Sequence, residues 1–170
     1  MTFLNLNLGH PVIRSSETAI AAMGPVGARC IMDGRPSEGR FSVVEHPIVP
    51  RGLAAPMHIH SREDEYSLVL EGRWGFQLGE EIVYADPGDF VFKPRNVWHT
   101  FWNAGDTPAR ILEIISPAGF EQFFVELAEQ IRADPDDFEA LAAIGERYGT
   151  QADYASVPRL IAEHQLVMSA

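Results

Sequence analysis

The middle of the chain alternates short runs of apolar, β-branched and aromatic residues with clusters of turn-forming residues. The clearest turn signals lie at residues 71–72, 79–80, 86–89, 94–96 and 104–108. Many short strands separated by turns at such spacing are typical of an all-β sandwich or barrel. A short strand is also predicted at residues 28–32, and Pro47 places the strand at residues 41–49 near an edge or a bend.

The spacing of apolar residues along the chain changes after residue 116. Apolar residues then recur with the i, i+3, i+4 spacing of an amphipathic helix, at Phe120, Phe123, Phe124, Leu127, Ala128 and Ile131. A second helix is predicted to start at Asp134-Pro135 and to end at Gly149, and a third, short helix is predicted over residues 157–165. We expect the face that carries Phe123 and Phe124 to pack on the outside of the barrel, or on a partner chain, rather than to line a pocket.

Composition and charge narrow the class of protein. A chain of 170 residues with 46% hydrophobic and 22% charged residues is expected to form one soluble globular domain. The net charge of −11 argues against nucleic acid and anionic membrane surfaces as partners. No apolar stretch is long enough to span a bilayer, and the first residues are not expected to form a signal peptide. Cys30 stands alone and is expected to be buried, which fits a reducing, cytoplasmic location.

Four residues form a candidate metal site. His58 and His60 are two apart, so on a strand their imidazoles point to the same side. Glu65 can return across the next turn, and His99 can join from a separate strand. Three imidazoles and one carboxylate suit one divalent transition metal, which could be Mn, Fe, Co, Ni, Cu or Zn.

Strand alternation indicates which side chains share the metal's face. Val97 and Phe101 lie on the side of His99, and Ser67 and Val69 on the side of Glu65. These four residues predict a largely apolar substrate pocket. With Lys93 as the single lysine, a phosphate-binding pocket is harder to build, so a small aromatic or otherwise apolar substrate is favoured.

The spacing of these residues resembles the two motifs of the cupin superfamily. The first motif is matched by Gly52, His58, His60, Glu65 and Gly72, and the second by Gly88, Pro94, His99 and Asn103. Asn96 stands where the second motif usually has glycine. Asparagine tolerates positive φ better than other non-glycine residues, so the turn is still expected to form.

The resemblance implies a fold and an organisation. Residues 28–116 would form a double-stranded jelly-roll barrel, with residues 1–27 as an N-terminal arm and residues 117–170 as a helical extension. The arm is expected to hold at most one edge strand or short helical turn. Cupins commonly form homodimers through sheet edges, and the tail also resembles that of small quercetinase-like cupins.

Three kinds of function remain open. The resemblance favours a dioxygenase acting on a small apolar or aromatic enol, with Glu65 as both metal ligand and catalytic base. A metal-dependent isomerase, epimerase or lyase is the second possibility, and a non-catalytic module that binds a small molecule is the third. The fold cannot choose among these classes.

Overall fold

The computed structural model describes residues 12–14 and 18–168, and their strands form two antiparallel sheets. The six-stranded sheet has the order β1 (Ile20–Met23), β2 (Val26–Met32), β3 (Ser42–Ile48), β10 (Ala109–Ser116), β5 (Asp64–Glu71) and β8 (Phe90–Lys93). The five-stranded sheet has the order β11 (Thr150–Asp153), β4 (Met57–His60), β9 (His99–Asn103), β6 (Trp74–Leu78) and β7 (Glu81–Ala85).

The main core lies between the two sheets. Val44 and Ile111 from the six-stranded sheet pack in one buried cluster with Trp74, Phe76 and Phe101 from the five-stranded sheet. Alternating residues of β10 and β5 are buried, as expected for strands that cover one core with one face. The predicted all-β jelly roll with a C-terminal helical extension is therefore confirmed.

One sequence-based placement is wrong. The proline at position 47 suggested an edge or a bend, yet β3 lies between β2 and β10 inside the sheet. The register opposite Pro47 contains Gly27, and a Cβ atom on Gly27 would come within 3.2 Å of the Pro47 ring. The missing side chain makes room for the proline within a central strand.

The turn before β9 forms as predicted. Asn96 has a φ of 62°, in the left-handed region where the family motif uses glycine. Its backbone N–H donates to the carbonyl of His60 over 2.7 Å. This hydrogen bond ties the turn to the end of the strand that carries two candidate ligands.

The helical extension contains α1 (Glu121–Ala133), α2 (Phe138–Tyr148) and α3 (Val157–His164). The predicted start of α2 at Asp134-Pro135 is wrong, because the helix begins four residues later, where the Asp137 side chain accepts a hydrogen bond from Ala140 N. Gly149 ends α2 with a φ of 72°, as predicted. β11 follows at once and pairs with β4, and this strand was not predicted from the sequence.

The first and third helices cover different parts of the barrel. Phe120, just before α1, and Phe124 within it belong to the main core, with Phe123, Leu127 and Ile131 partly buried against it. Phe120 and Phe124 therefore extend the interior core, and the face that carries Phe123 and Phe124 is buried against the barrel as expected. On the outside, α3 buries Trp102 in a second cluster with Leu53, Met57, Leu160 and Leu166.

The N-terminal arm is described only in part. β1 lies within it and pairs with β2, in agreement with the single edge strand that was expected. Residues 1–11 and 15–17 lie outside the described residues. Cys30 is buried in β2, and burial raises the pKa of its thiol to about 12, so it is an inert core residue. No helix in the described ranges is long and apolar enough to cross a membrane.

Candidate metal centre

Three strands bring the four predicted ligands together. β4 carries His58 and His60, β5 carries Glu65 and β9 carries His99, with His58 directly opposite His99 in the register. One ligand atom from each residue lies within 4.8 Å of the others. His60, Glu65 and His99 are buried, and His58 is half-buried. Any approach of a small molecule is therefore easiest from the side of His58.

Backbone carbonyls orient two of the imidazoles. The Nδ1–H of His58 donates to the carbonyl of Pro56, and that of His99 to the carbonyl of Val97, each over 2.9 Å. A ring nitrogen that donates in this way leaves Nε2 as the lone-pair atom. Both rings thus present Nε2 to the centre in the tautomer that binds a metal.

His60 supplies the test of whether a metal fits. Its side chain is 1% exposed, and neither ring nitrogen has a hydrogen-bond partner among the described residues. The nearest carboxylate oxygens are 3.6 Å away on Glu63 and 3.7 Å away on Glu65. Buried polar atoms without partners are costly. Coordination of a metal by Nε2 would satisfy one of them, so the donor set fits a divalent transition metal.

The ionisation states suit metal binding. Burial, together with the neighbouring His99 and His60, lowers the pKa of His58 well below its usual range. Burial also lowers the pKa of His99. Burial alone would raise the pKa of Glu65, but the Lys93 ammonium holds it well below its usual range. Neutral imidazoles and an ionised carboxylate are the forms that bind metals.

The interior of the barrel is more polar than the sequence analysis predicted. Lys93 is fully buried, with its ammonium 2.9 Å from Glu65 Oε2 and 3.0 Å from Glu113 Oε2. Ser67 Oγ donates to Glu113 Oε1 over 2.9 Å. Burial raises the pKa of Glu113 to about 7 even though Lys93 opposes the shift. Two carboxylates and one ammonium thus form a closed network beside the candidate ligands.

The four predicted pocket residues differ in position. Phe101 is buried, and its ring centroid is 4.3 Å from Lys93 Nζ. Ser67 and Val69 are also inside the barrel, Ser67 in the polar network and Val69 in the apolar core. Val97 precedes β9 and is half-buried, and its carbonyl orients His99.

Several residues that lie near the candidate metal centre were not predicted from the sequence to do so. The ring of Phe120 lies 4.5 Å from that of His60. His46 is also buried, and its Nδ1–H donates to the carbonyl of Gly27 over 2.9 Å. Glu113 could have been found, since it lies two residues from both Ile111 and Ile115 and so shares their inward face.

A jelly roll with three histidines and a glutamate converging inside it defines a class of small β-barrel proteins with a candidate metal centre. Residues 46–115 match the family model of the cupin domain, and all four candidate ligands lie within that range. This part of the chain is thus a cupin domain.

One relative in sequence is an uncharacterized protein of Methanocaldococcus jannaschii. It is 34% identical over 65 residues, which are 38% of this chain and 52% of that protein. The chain thus spans about half the length of this relative.

Solved structures share the fold at low identity. KdgF from Halomonas sp. aligns with a TM-score of 0.59 and 15% identity, over 66% of this chain and 98% of its own. A predicted oxalate decarboxylase from Thermotoga maritima aligns with a TM-score of 0.58 and 21% identity, over 62% of this chain and 98% of its own. Streptomyces PAC13 with uridine aligns with a TM-score of 0.55 and 17% identity, over 66% of this chain and 86% of its own. At such identities the likeness shows the fold alone.

Proposed function

We propose that this protein is a metal-dependent dioxygenase that acts on a small apolar or aromatic substrate of enol type. The observation that carries the proposal is the convergence of three imidazoles and an ionised carboxylate. The ring of Phe101 lies 4.3 Å from the Lys93 ammonium, which contacts that carboxylate. A divalent metal held by His58, His60, Glu65 and His99 would act as a Lewis acid toward a substrate oxygen and as the redox centre for O₂.

In this proposal the chain's own residues bind the substrate and move its proton. The enol enters past the half-buried His58 and places its ring against Phe101, which excludes water. Glu65 accepts the enol proton. The low pKa of Glu65 makes it a weak base, which is sufficient only for a substrate whose hydroxyl has itself been made acidic.

The test is O₂ consumption by protein reconstituted separately with Mn, Fe, Co, Ni, Cu and Zn. Each form is offered a flavonol and a small panel of enols and catechols. We expect consumption with at least one redox-active metal, and none with Zn or with metal-depleted protein. If no form consumes O₂ with any of these compounds, the dioxygenase proposal is wrong.

A second candidate is a metal-dependent isomerase, epimerase or lyase that uses the metal only as a Lewis acid. The observation in its favour is the buried charge of Lys93 and Glu113, which suits a more polar substrate than an aromatic enol. One structural neighbour is itself described as a predicted oxalate decarboxylase. Turnover that persists under argon would favour this candidate, and stoichiometric ligand binding without turnover would favour a non-catalytic binding module.

We also propose a homodimer in the cytoplasm. The edge strands β7 and β8 leave Tyr84 and Phe92 about half exposed, with fractions of 50% and 48%. Unpaired sheet edges with exposed apolar residues favour association. Sedimentation velocity at micromolar concentration should give twice the chain mass of 18.9 kDa, and a monomeric profile would contradict the dimer.

A further inference from the structure

The chain's only lysine is placed inside the barrel, next to a candidate ligand. Lys93 is the last residue of β8 and lies directly opposite Glu65 on β5. Its side chain is 0% exposed, and its ammonium contacts Glu65 Oε2 at 2.9 Å and Glu113 Oε2 at 3.0 Å. The face of the Phe101 ring covers the ammonium at 4.3 Å. The charge of Lys93 is therefore directed at protein groups inside the barrel and not at solvent.

The position of Lys93 has opposite consequences for the empty and the loaded centre. A buried carboxylate without a counter-charge is costly, and Lys93 supplies that charge to Glu65. The oxygen that Lys93 contacts, Oε2, is also the one that lies 3.2 Å from His99 Nε2. A divalent metal bound to these ligands would share the same carboxylate with the ammonium. Two cations close to one carboxylate repel each other, more strongly inside a protein than in water.

Glu113 gives the lysine a second partner. It is fully buried, and its other oxygen is fixed by Ser67 Oγ. When a bound metal interacts with the carboxylate of Glu65, the ammonium of Lys93 still has the carboxylate of Glu113 as a partner at contact distance. The network thus accommodates a change at Glu65 without leaving a buried ammonium unpaired.

We propose that Lys93 is a resident counter-cation that competes with the metal for Glu65, and that Glu113 retains Lys93 when the metal is bound. This inference rests on the proposed metal site. Its consequence is a centre that keeps its shape without metal and binds the metal less tightly than its four ligands would alone. Glu65 is then held more loosely by the metal.

The test compares two variants that should change metal affinity in opposite directions. Lys93→Met keeps the length of the side chain and removes the competing charge, so Zn²⁺ and Mn²⁺ should bind at least about tenfold more tightly. Glu113→Gln removes the second partner, so Lys93 depends more on Glu65 and both metals should bind more weakly. Affinities are measured at pH 8 by titration calorimetry against a competing chelator.

The outcomes separate this inference from the proposed site. A purely structural role for Lys93 predicts weaker binding in both variants, so unchanged or weaker binding in Lys93→Met overturns the competition. If the wild-type protein binds neither metal, the proposed site fails and the inference fails with it. Should Lys93→Met not fold, the double variant Lys93→Met/Glu113→Gln is compared with Glu113→Gln, and the double variant must bind more tightly.

A measurement on the unmodified chain is independent of any variant. Because position 93 holds the only lysine, ¹⁵N-lysine labelling of tag-free protein gives a single ammonium resonance by NMR. Saturation with diamagnetic Zn²⁺ should shift this resonance, since the contact with Glu65 weakens. A resonance that stays in place while the Zn²⁺ site fills would overturn the proposal.

Discussion

Backbone carbonyls determine which nitrogen of each histidine can bind a metal. Pro56 and Val97 each lie two residues before a histidine and accept its Nδ1–H. This local geometry fixes the tautomer and the ring orientation before any metal binds. His60 has no such carbonyl partner among the described residues, so its orientation depends on the walls around it, including the Phe120 ring.

Removal of His99 should empty the centre without unfolding the barrel. We expect His99→Ala to lose most of its bound metal, because three ligands remain and the Nε2 that faces Glu65 is gone. Elemental analysis gives the metal per chain, and circular dichroism checks the fold. His164→Ala is the control, since His164 stacks on Trp102 on the outer face, away from the centre. Full metal content in His99→Ala would show that the ligands are assigned wrongly.

The two roles proposed for Glu65 can be separated by one substitution. Glu65→Gln keeps the shape and one oxygen donor but removes the charge, so metal should be partly retained while turnover is lost. Loss of activity should exceed loss of metal when both are measured on the same preparation. If activity falls only in proportion to metal content, Glu65 is a metal ligand and the proposed role as catalytic base is wrong.

The elements were predictable to the extent that their signals are local. The turns around Gly72 and Asn96, the strand that carries His58 and His60, and the helix after Pro117 all follow from nearby residues. β11 was not found, because four residues after Gly149 carry no apolar alternation, and the strand exists through its pairing with β4. Helix α2 starts late because the side chain of Asp137 caps it more effectively than Pro135 begins it.

The candidate metal centre likewise has features that follow from nearby residues and features that depend on the pairing of distant strands. Its four candidate ligands follow a spacing along the chain, so they could be named from the sequence. The network of Lys93 with Glu113 depends on β5 lying between β8 and β10, which no local pattern reveals. For that reason the charged groups beside the predicted apolar pocket residues were not predicted from the sequence.

Helix α1 contributes to stability through one aromatic residue in particular. Phe124 is 9% exposed and packs against Phe120 and the ring of His46. Phe124→Ala should lower the free energy of unfolding by about 3–5 kcal/mol, because it removes a large buried side chain and leaves a cavity. Chemical denaturation measures the change. Phe138→Ala is the matched control on α2, where the side chain is 52% exposed, and its effect should be far smaller. A change below about 0.5 kcal/mol in Phe124→Ala would show an exposed face.

In the whole folded barrel, more buried groups have a pKa that disfavours protonation than have one that favours it. Burial lowers the pKa values of His46, His58 and His99, so in acid the unfolded chain binds more protons at these histidines than the native state does. Glu113 acts in the opposite direction, because its pKa of about 7 makes the native state keep a proton as pH rises. Three histidines outweigh one glutamate, so the metal-depleted protein should lose stability as pH falls below about 6.5.

His46 offers the cleanest test of that balance, since it is buried but is not one of the candidate ligands. Burial lowers its pKa from 6.5 to about 4, although the carbonyl of Gly27 and the carboxylates of Glu65 and Glu45 favour its protonated form and Lys93 opposes it. A histidine whose pKa is lowered by folding costs stability as pH falls from 6.5 towards 4, and the full cost is reached below 4. In His46→Gln the loss of unfolding free energy between pH 7 and 4.5 should therefore be smaller by about 2–3 kcal/mol. Urea denaturation of metal-depleted wild type and variant at both pH values gives the comparison. His164→Gln is the control, because His164 is partly exposed and should change the pH dependence much less. An equal pH dependence in wild type and His46→Gln would mean that His46 takes up its proton in the native state as readily as in the unfolded chain.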